Sequence, residues 1–407
     1  MSFSIIMSRC QICASPLQSL IDFGPQPVCN RYLAAPDRNE FHHPLILAQC
    51  ASDGLLQLAR PWPSDEVRPR LEWISYKEPE RHLDDLCERI AALPGVGSDT
   101  LIAGLSYKDE PVLTRLERSG FSKTWNVRLD ELGILEPGSG MESIQNVLSL
   151  ELAGKLRDHR EAPGVIVVRH LLEHSNSVAR TLEFLKAWAR PGGIFILEVP
   201  DSEQTFRDLD FGTVWEEHVC YFTECTMGRA FHPYETSLLE VIRYPYTLED
   251  CLIAIVANRP PQTALSPVNG ALEKELVLGA GFKKGWQPLG IRCREALDSI
   301  RQNGGSTVIF GAGHRAATFI NLLGLEKLIT CVIDDDPRKA GLHLPGCQLP
   351  IVPSARLHAE RPALCLLAAS PDSEKVIMEK NKDYTNNGGR FASIYPRSPI
   401  AWAQLRA

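Results

Sequence analysis

"VIVVRHLLEHSNSVARTLEFLKAWARPGGIFILEVP", residues 165–200, decides the fold. Its first five residues are an apolar run ended by Arg169, short and β-branched enough for a buried strand. Residues 176–193 read as a helix with Leu182, Leu185 and Trp188 on one face, stopped by Pro-Gly-Gly. "IFILEVP" then returns to a buried strand. Strand, helix and strand in that order predict a crossover unit of a parallel sheet with helices on its faces.

The rhythm extends in both directions. "TLIAGL" (100–105) reads as a strand and "EPVLTRLERSGF" (110–121) as a helix ending at Gly120. Before them, Leu83, Leu86, Ile90 and Leu93 recur at helical spacing. "NRPPQTALSPVNG" (258–270) breaks the pattern and reads as a linker. The pattern restarts with strand "TVIFGAG", helix "HRAATFINLLGL", strand "ITCVIDDD" and strand "ALCLLAA". The predicted organisation is a Cys-, Pro- and His-rich head at 1–75, an α/β core at 76–260, a linker and helix at 261–290, and a second, smaller α/β domain at 291–407.

Composition narrows the function. The 407 residues carry a net charge of −7 and no basic stripe, which argues against a nucleic-acid partner. No apolar run approaches the ~20 residues that span a bilayer. The opening "MSFSIIMSRC" lacks the pattern of a signal peptide. Eight of the twelve cysteines are scattered singly, most of them in apolar segments. Those are expected to be reduced core thiols of a cytoplasmic protein.

The remaining cysteines cluster near the N-terminus. Cys10-Gln-Ile-Cys13 supplies two corners of a zinc tetrahedron. Cys50-Ala-Ser-Asp53 matches it as a second half with aspartate in the last place. Cys29, His42 and His43 are alternative ligands, and a metal-free knuckle is the alternative reading. "WEEHVCYF" (215–222) sets two carboxylates and a histidine between aromatics. It reads either as a proton-handling site or as a polar loop whose aromatics pack the core.

Taken in order, the CxxC head, the 165–200 segment, "WEEHVCYFT" and "GGSTVIFGAGHRAATFINLLGL…VIDDDPRKAGLHLPG" resemble the three-domain sugar C-methyltransferases acting on nucleotide-linked keto-deoxysugars. The resemblance covers nearly the whole chain. It implies a class I methyltransferase Rossmann-like core, a small N-terminal metal-knuckle domain holding zinc, and a C-terminal Rossmann-like domain. It also implies S-adenosylmethionine as cofactor and a nucleotide-linked sugar as substrate. Glu217, His218, Tyr221 and Phe222 match the family's Glu-His-x-x-Tyr-Phe, with Trp215 where a tyrosine is usual, and Tyr76 falls near another active-site tyrosine. The implied roles are His218 as base removing a proton beside a ketone, Glu217 as its partner or an acceptor for a substrate hydroxyl, and Tyr221 as support.

The cofactor turn departs from that pattern. An ungapped match puts Gly104 at the usual acid, Ser106 at the first glycine and Glu110 at a later one, keeping Asp109. Sliding by two residues makes Gly104 the first glycine but loses Asp109. At the ribose position stands Arg128, which accepts no hydrogen bond, or Asp130 in a shifted register. The pocket is therefore remodelled or lost. His170, opening "HLLEH", falls in a segment that lies beside the cofactor in methyltransferase cores. In the C-terminal domain Gly311, Gly313 and Asp334 have dinucleotide-fingerprint spacing. The resemblance makes them, with His314 and Arg315, candidates for holding the sugar's diphosphate, and a scaffold without ligand is the alternative.

Overall fold

The computed structural model describes residues 8–71, 74, 78–136, 140–261 and 270–405. Tyr76 and most of the 258–270 linker lie outside the described residues. The chain divides into two compact units, one of residues 1–19, 48–203 and 217–277, the other of residues 20–47, 204–216 and 278–407. The cysteine-rich head is thus shared. Its strands β1 (Leu17–Pro27) and β2 (His42–Cys50) pass from one unit to the other, whereas β3 (Leu56–Leu58) lies wholly in the first.

The first unit is built on six strands: β4 (Ile102–Gly104), β5 (Thr124–Asn126), β6 (Val165–Arg169), β7 (Ile194–Pro200), β9 (Ser237–Tyr244) and β10 (Cys251–Ala257). Their order is β5-β4-β6-β7-β10-β9. β4 is parallel to β5 and β6, and β6 is parallel to β7. β10 runs antiparallel to both β7 and β9. The predicted crossover is present: the helix Val178–Trp188, capped by the Ser177 side chain, joins β6 to β7. β6 alternates its faces, with Ile166 and Val168 in one apolar cluster and Val165 and Val167 in another. A strand with apolar side chains on both faces is the continuous hydrophobic run seen in the sequence. A short strand β8 (Cys220–Tyr221) pairs with β3, Leu56 opposite Tyr221.

In the second unit β11 (Thr307–Phe310), β12 (Val332–Ile333), β13 (Ile351–Val352), β14 (Leu364–Leu367) and β15 (Arg390–Ser393) form a parallel sheet ordered β13-β12-β11-β14-β15. The order reverses at β11 and β14, and open α/β sheets place ligands in the crevice at such a reversal. Gly311 stands there with φ +104°, and a Cβ on it would lie 3.2 Å from the Ala368 carbonyl. Both the backbone angle and the close approach require glycine. No helix among the described residues is long and apolar enough to cross a membrane.

Candidate active site

In the first unit the strand order reverses between β4 and β6, and the turn after β4 meets the end of β6. Asp109 joins them. Its Oδ2 accepts the Leu105 and Ser106 amides, each at 2.8 Å, and the Ser106 hydroxyl at 3.1 Å. Its Oδ1 accepts the Arg169 amide at 2.7 Å. Burial raises the Asp109 carboxyl to about 6 despite these donors. Gly104 makes room for this clamp, since a Cβ there would sit 2.6 Å from Asp109 Cβ and 3.1 Å from Asn126 Oδ1. Ser106 is buried on the same turn.

Beyond the turn lies a buried ionic network. The β6–β7 register sets Arg169 opposite Glu198, and the guanidinium grips both carboxylate oxygens at 2.5 and 3.0 Å. His170, held at φ +50°, faces Glu198 at 3.0 Å and Glu173 at 3.2 Å. Burial works against its charge, but Glu78, Glu173 and Glu198 push it up to about 10. Burial likewise opposes the charge on Glu78, yet His170 and Lys108 hold its carboxyl down to about 2. His170, expected at the cofactor's edge, is thus a buried imidazole packed among carboxylates.

Next to this network lies the "WEEHVCYF" loop, with Glu217 and His218. Glu217 is buried, and His218 is partly exposed. The His218 ring lies edge-on to His174, centroids 4.9 Å apart, and its centroid is 6.4 Å from that of the buried Tyr221. Glu142, from the helix Met141–Val147, puts Oε1 3.1 Å from His174 Nδ1. Burial resists ionisation of Glu142, but the His174 imidazole holds its carboxyl below the usual range. The structure thus gathers two groups that share His174, one with Glu173 and His218 and the other with Glu142 and Glu217. Glu142 carries no motif, and its signal is only a glutamate on a helix side shared with buried Met141 and Ile144.

At the head, Cys10 Sγ lies 3.0 Å from Asp53 Oδ2, and Cys13 Sγ lies 3.5 Å from Cys50 Sγ. The ligand atoms of all four fall within 4.8 Å of one another. The Ile12 and Ser52 amides point at the Cys10 and Cys50 sulfurs. Burial, and the Asp53 carboxylate, push the Cys10 thiol above its ordinary range, a cost that a bound cation offsets. This donor set fits zinc. All twelve cysteines are free thiols.

In the second unit, Trp215 stacks on His314, ring centroids 4.2 Å apart. Arg315 pairs with Asp210 and lies 4.9 Å from the centroid of the Tyr395 ring. Asp334 accepts the Ala312 amide and the Lys339 ammonium, both at 2.9 Å. Gly311, Gly313, His314, Arg315 and Asp334 therefore do surround one turn, with Asp334 bracing it.

The six-stranded sheet, with its single antiparallel strand inside the edge, defines the core as a class I, S-adenosylmethionine-dependent methyltransferase fold. Three family models match in chain order: a zinc binding domain at residues 10–67, a methyltransferase domain at 111–241 and a C-methyltransferase C-terminal domain at 276–396. The chain belongs to the three-domain C-methyltransferase family. A curated relative, C-methyltransferase NovU of Streptomyces niveus, is 22% identical over 98% of both chains. Similar solved structures include the 1,6-didemethyltoxoflavin-N1-methyltransferase of Burkholderia thailandensis, 13% identical over 44% of this chain and 79% of that one, with TM-score 0.31. The magnesium protoporphyrin IX methyltransferase ChlM of Synechocystis PCC 6803 is 10% identical over 46% and 90%, also with TM-score 0.31.

One observation bears on the fit of the cofactor. Asn126 ends β5, and its buried Oδ1 accepts no hydrogen bond among the described residues. It lies beside the Gly104 turn, where an acceptor for ribose hydroxyls is wanted. That orphan acceptor fits an adenosyl group. Arg128 and Asp130 instead pair with each other on the surface.

Proposed function

We propose that the protein methylates a carbon beside the ketone of a nucleotide-linked keto-deoxysugar. The observation that carries this reading is His218, a partly exposed imidazole on a buried cluster of carboxylates and His174. S-adenosylmethionine, when bound, supplies an electrophilic methyl group. Asn126 would accept from its ribose, and Gly104, Ser106 and Asp109 shape the turn beneath it. His218 takes the α-proton of the sugar. Glu217 favours the imidazolium that forms, and Glu142 fixes the His174 ring against which His218 rests. Tyr221 packs behind His218. Within the second unit, the turn after β11, with His314 and Arg315 opening the next helix, is suited to a phosphate group.

The test supplies a nucleotide-linked 4-keto-deoxysugar and labelled S-adenosylmethionine, then follows label transfer and solvent deuterium uptake into the sugar. Wild-type protein is expected to do both, and His218→Gln neither. Full turnover by His218→Gln removes the proposed base. One observation favours a second reading, a proton-transfer enzyme that takes no methyl donor: Asp109 already occupies the Leu105 and Ser106 amides. Deuterium uptake without label transfer would select it.

A further inference from the structure

We infer that Cys13 and Cys50 are an oxidation site: an oxidant joins them as a disulfide, which takes two ligands from the head's metal and loosens strand β8. Both cysteines and β8 lie in the first unit.

Asp53 sorts the three thiols. The Cys10 thiol donates to Asp53 Oδ2 at 3.0 Å, while Asp53 Oδ1 accepts the Leu55 amide at 3.0 Å. Cys10 is thereby tied to a carboxylate, and Cys13 and Cys50 are left facing each other, sulfurs 3.5 Å apart. A shift of about 1.5 Å closes that gap to the roughly 2.05 Å of an S–S bond. Cys13 is exposed, and Cys50 is buried. A sensing pair has that form: an accessible thiol meets the oxidant, and a second beside it resolves the product.

With hydrogen peroxide, the Cys13 sulfur takes one oxygen and becomes a sulfenic acid, while the O–O bond breaks and the other oxygen leaves as water. The Cys50 sulfur then displaces the sulfenic oxygen, which takes the Cys50 proton and leaves as a second water. The two thiols give two electrons and two protons to the peroxide, and one disulfide results. Of the four ligand residues only Cys10 and Asp53 remain, too few to hold zinc.

The change has a route to β8. Gln57 is 1% exposed, its Oε1 accepts the Gln11 amide at 3.0 Å, and its Nε2 donates to the Arg9 carbonyl at 3.3 Å. Its backbone stands opposite Cys220, and the next residue, Leu58, donates its amide to the Val219 carbonyl at 2.8 Å. One buried side chain therefore bonds the first cysteine turn from within the ladder that carries β8. Drawing Cys13 toward Cys50 moves that turn and pulls on Gln57. The oxidation site is independent of the reaction proposed above.

The experiment treats zinc-loaded full-length protein with hydrogen peroxide, follows zinc release with a colorimetric chelator and maps disulfides by mass spectrometry of unreduced peptides. One zinc released per chain, with a Cys13–Cys50 bond, is expected, and dithiothreitol with added zinc should reverse both. Oxidised protein that carries a Cys10–Cys13 bond, carries no disulfide, or keeps its zinc overturns the site. In Asp53→Ala the freed Cys10 sulfur should compete, so that a Cys10–Cys13 bond appears beside Cys13–Cys50. Its absence from a variant shown by circular dichroism to be folded overturns the sorting by Asp53, and if the variant does not fold, the wild-type disulfide map decides. Hydrogen exchange in peptides spanning 56–58 and 219–221 should be about tenfold or more faster in the oxidised protein than in the zinc-loaded one. Unchanged exchange overturns the coupling to β8.

Discussion

Replacing Asp109 by asparagine tests whether one buried carboxylate holds the cofactor turn to the sheet. Asp109 accepts on both oxygens, from two turn amides and a hydroxyl on one side and from the Arg169 amide on the other. Asparagine has one acceptor oxygen and an NH2 group. In its better orientation the oxygen keeps the Leu105 and Ser106 amides, and the NH2 then opposes the Arg169 N–H. Two buried donors are left unpaired, each costing about 1–3 kcal/mol, so the loss should be about 2–6 kcal/mol. The loss also depends on pH. The folded carboxyl titrates near 6, above its ordinary value of 3.8. Its protonated form therefore stabilises the fold fully below 3.8, and that contribution is lost as pH rises through about 6. Roughly two pK units correspond to about 3 kcal/mol, which the asparagine variant does not lose. The variant's deficit should thus be large near pH 4 and much smaller above pH 7. Urea unfolding across that range measures the deficit, and hydrogen exchange in the segment after β4 localises it. Equal stability near pH 4 refutes the clamp. Parallel pH profiles for the two proteins refute the account of the raised carboxyl.

Three further outcomes are expected. Gly104→Ala puts a methyl 2.6 Å from Asp109 Cβ, so it should cost about 1–3 kcal/mol in urea unfolding. Asn126→Ala removes an unused acceptor, so stability should hold while S-adenosylmethionine affinity falls about fivefold in calorimetry, the value of one hydrogen bond. Cys50→Ser should abolish zinc retention in elemental analysis and lower the thermal midpoint, because the remaining ligands cannot close the tetrahedron.

The parts of this fold that the sequence made legible are those in which burial and period coincide. Residues 165–200 could be read because β6 and β7 bury both faces, so their apolar runs are continuous, and because Ser177 and Pro-Gly-Gly bound the helix between them. The cluster of Cys10, Cys13, Cys50 and Asp53 was legible from spacing, since the four come from two tight turns. Glu142 was not. It reaches His174 across more than thirty residues of sequence, and no local period encodes that meeting. The β9–β10 edge is half legible: "CLIAIVA" is a continuous apolar run, but β9 mixes buried and exposed positions without regular alternation.

Arg169 and Glu198 show what such a reading overlooks. Arg169 ends β6 while Glu198 lies within β7, and only the parallel register reveals that they face one another. A buried arginine–carboxylate pair adds little net stability, but losing one partner costs about 3–5 kcal/mol because the other is left charged in the interior. The pair therefore fixes register more than it strengthens the fold, and here the register carries the site. Arg169 and Glu198 tie the end of β6 to β7, and the five residues after Arg169 include His170, Glu173 and His174. A one-residue slip would turn Arg169 to the opposite face of the sheet and separate His174 from Glu142. The charges that interrupt the two apolar runs are thus what place the cluster of carboxylates and histidines at the end of the sheet.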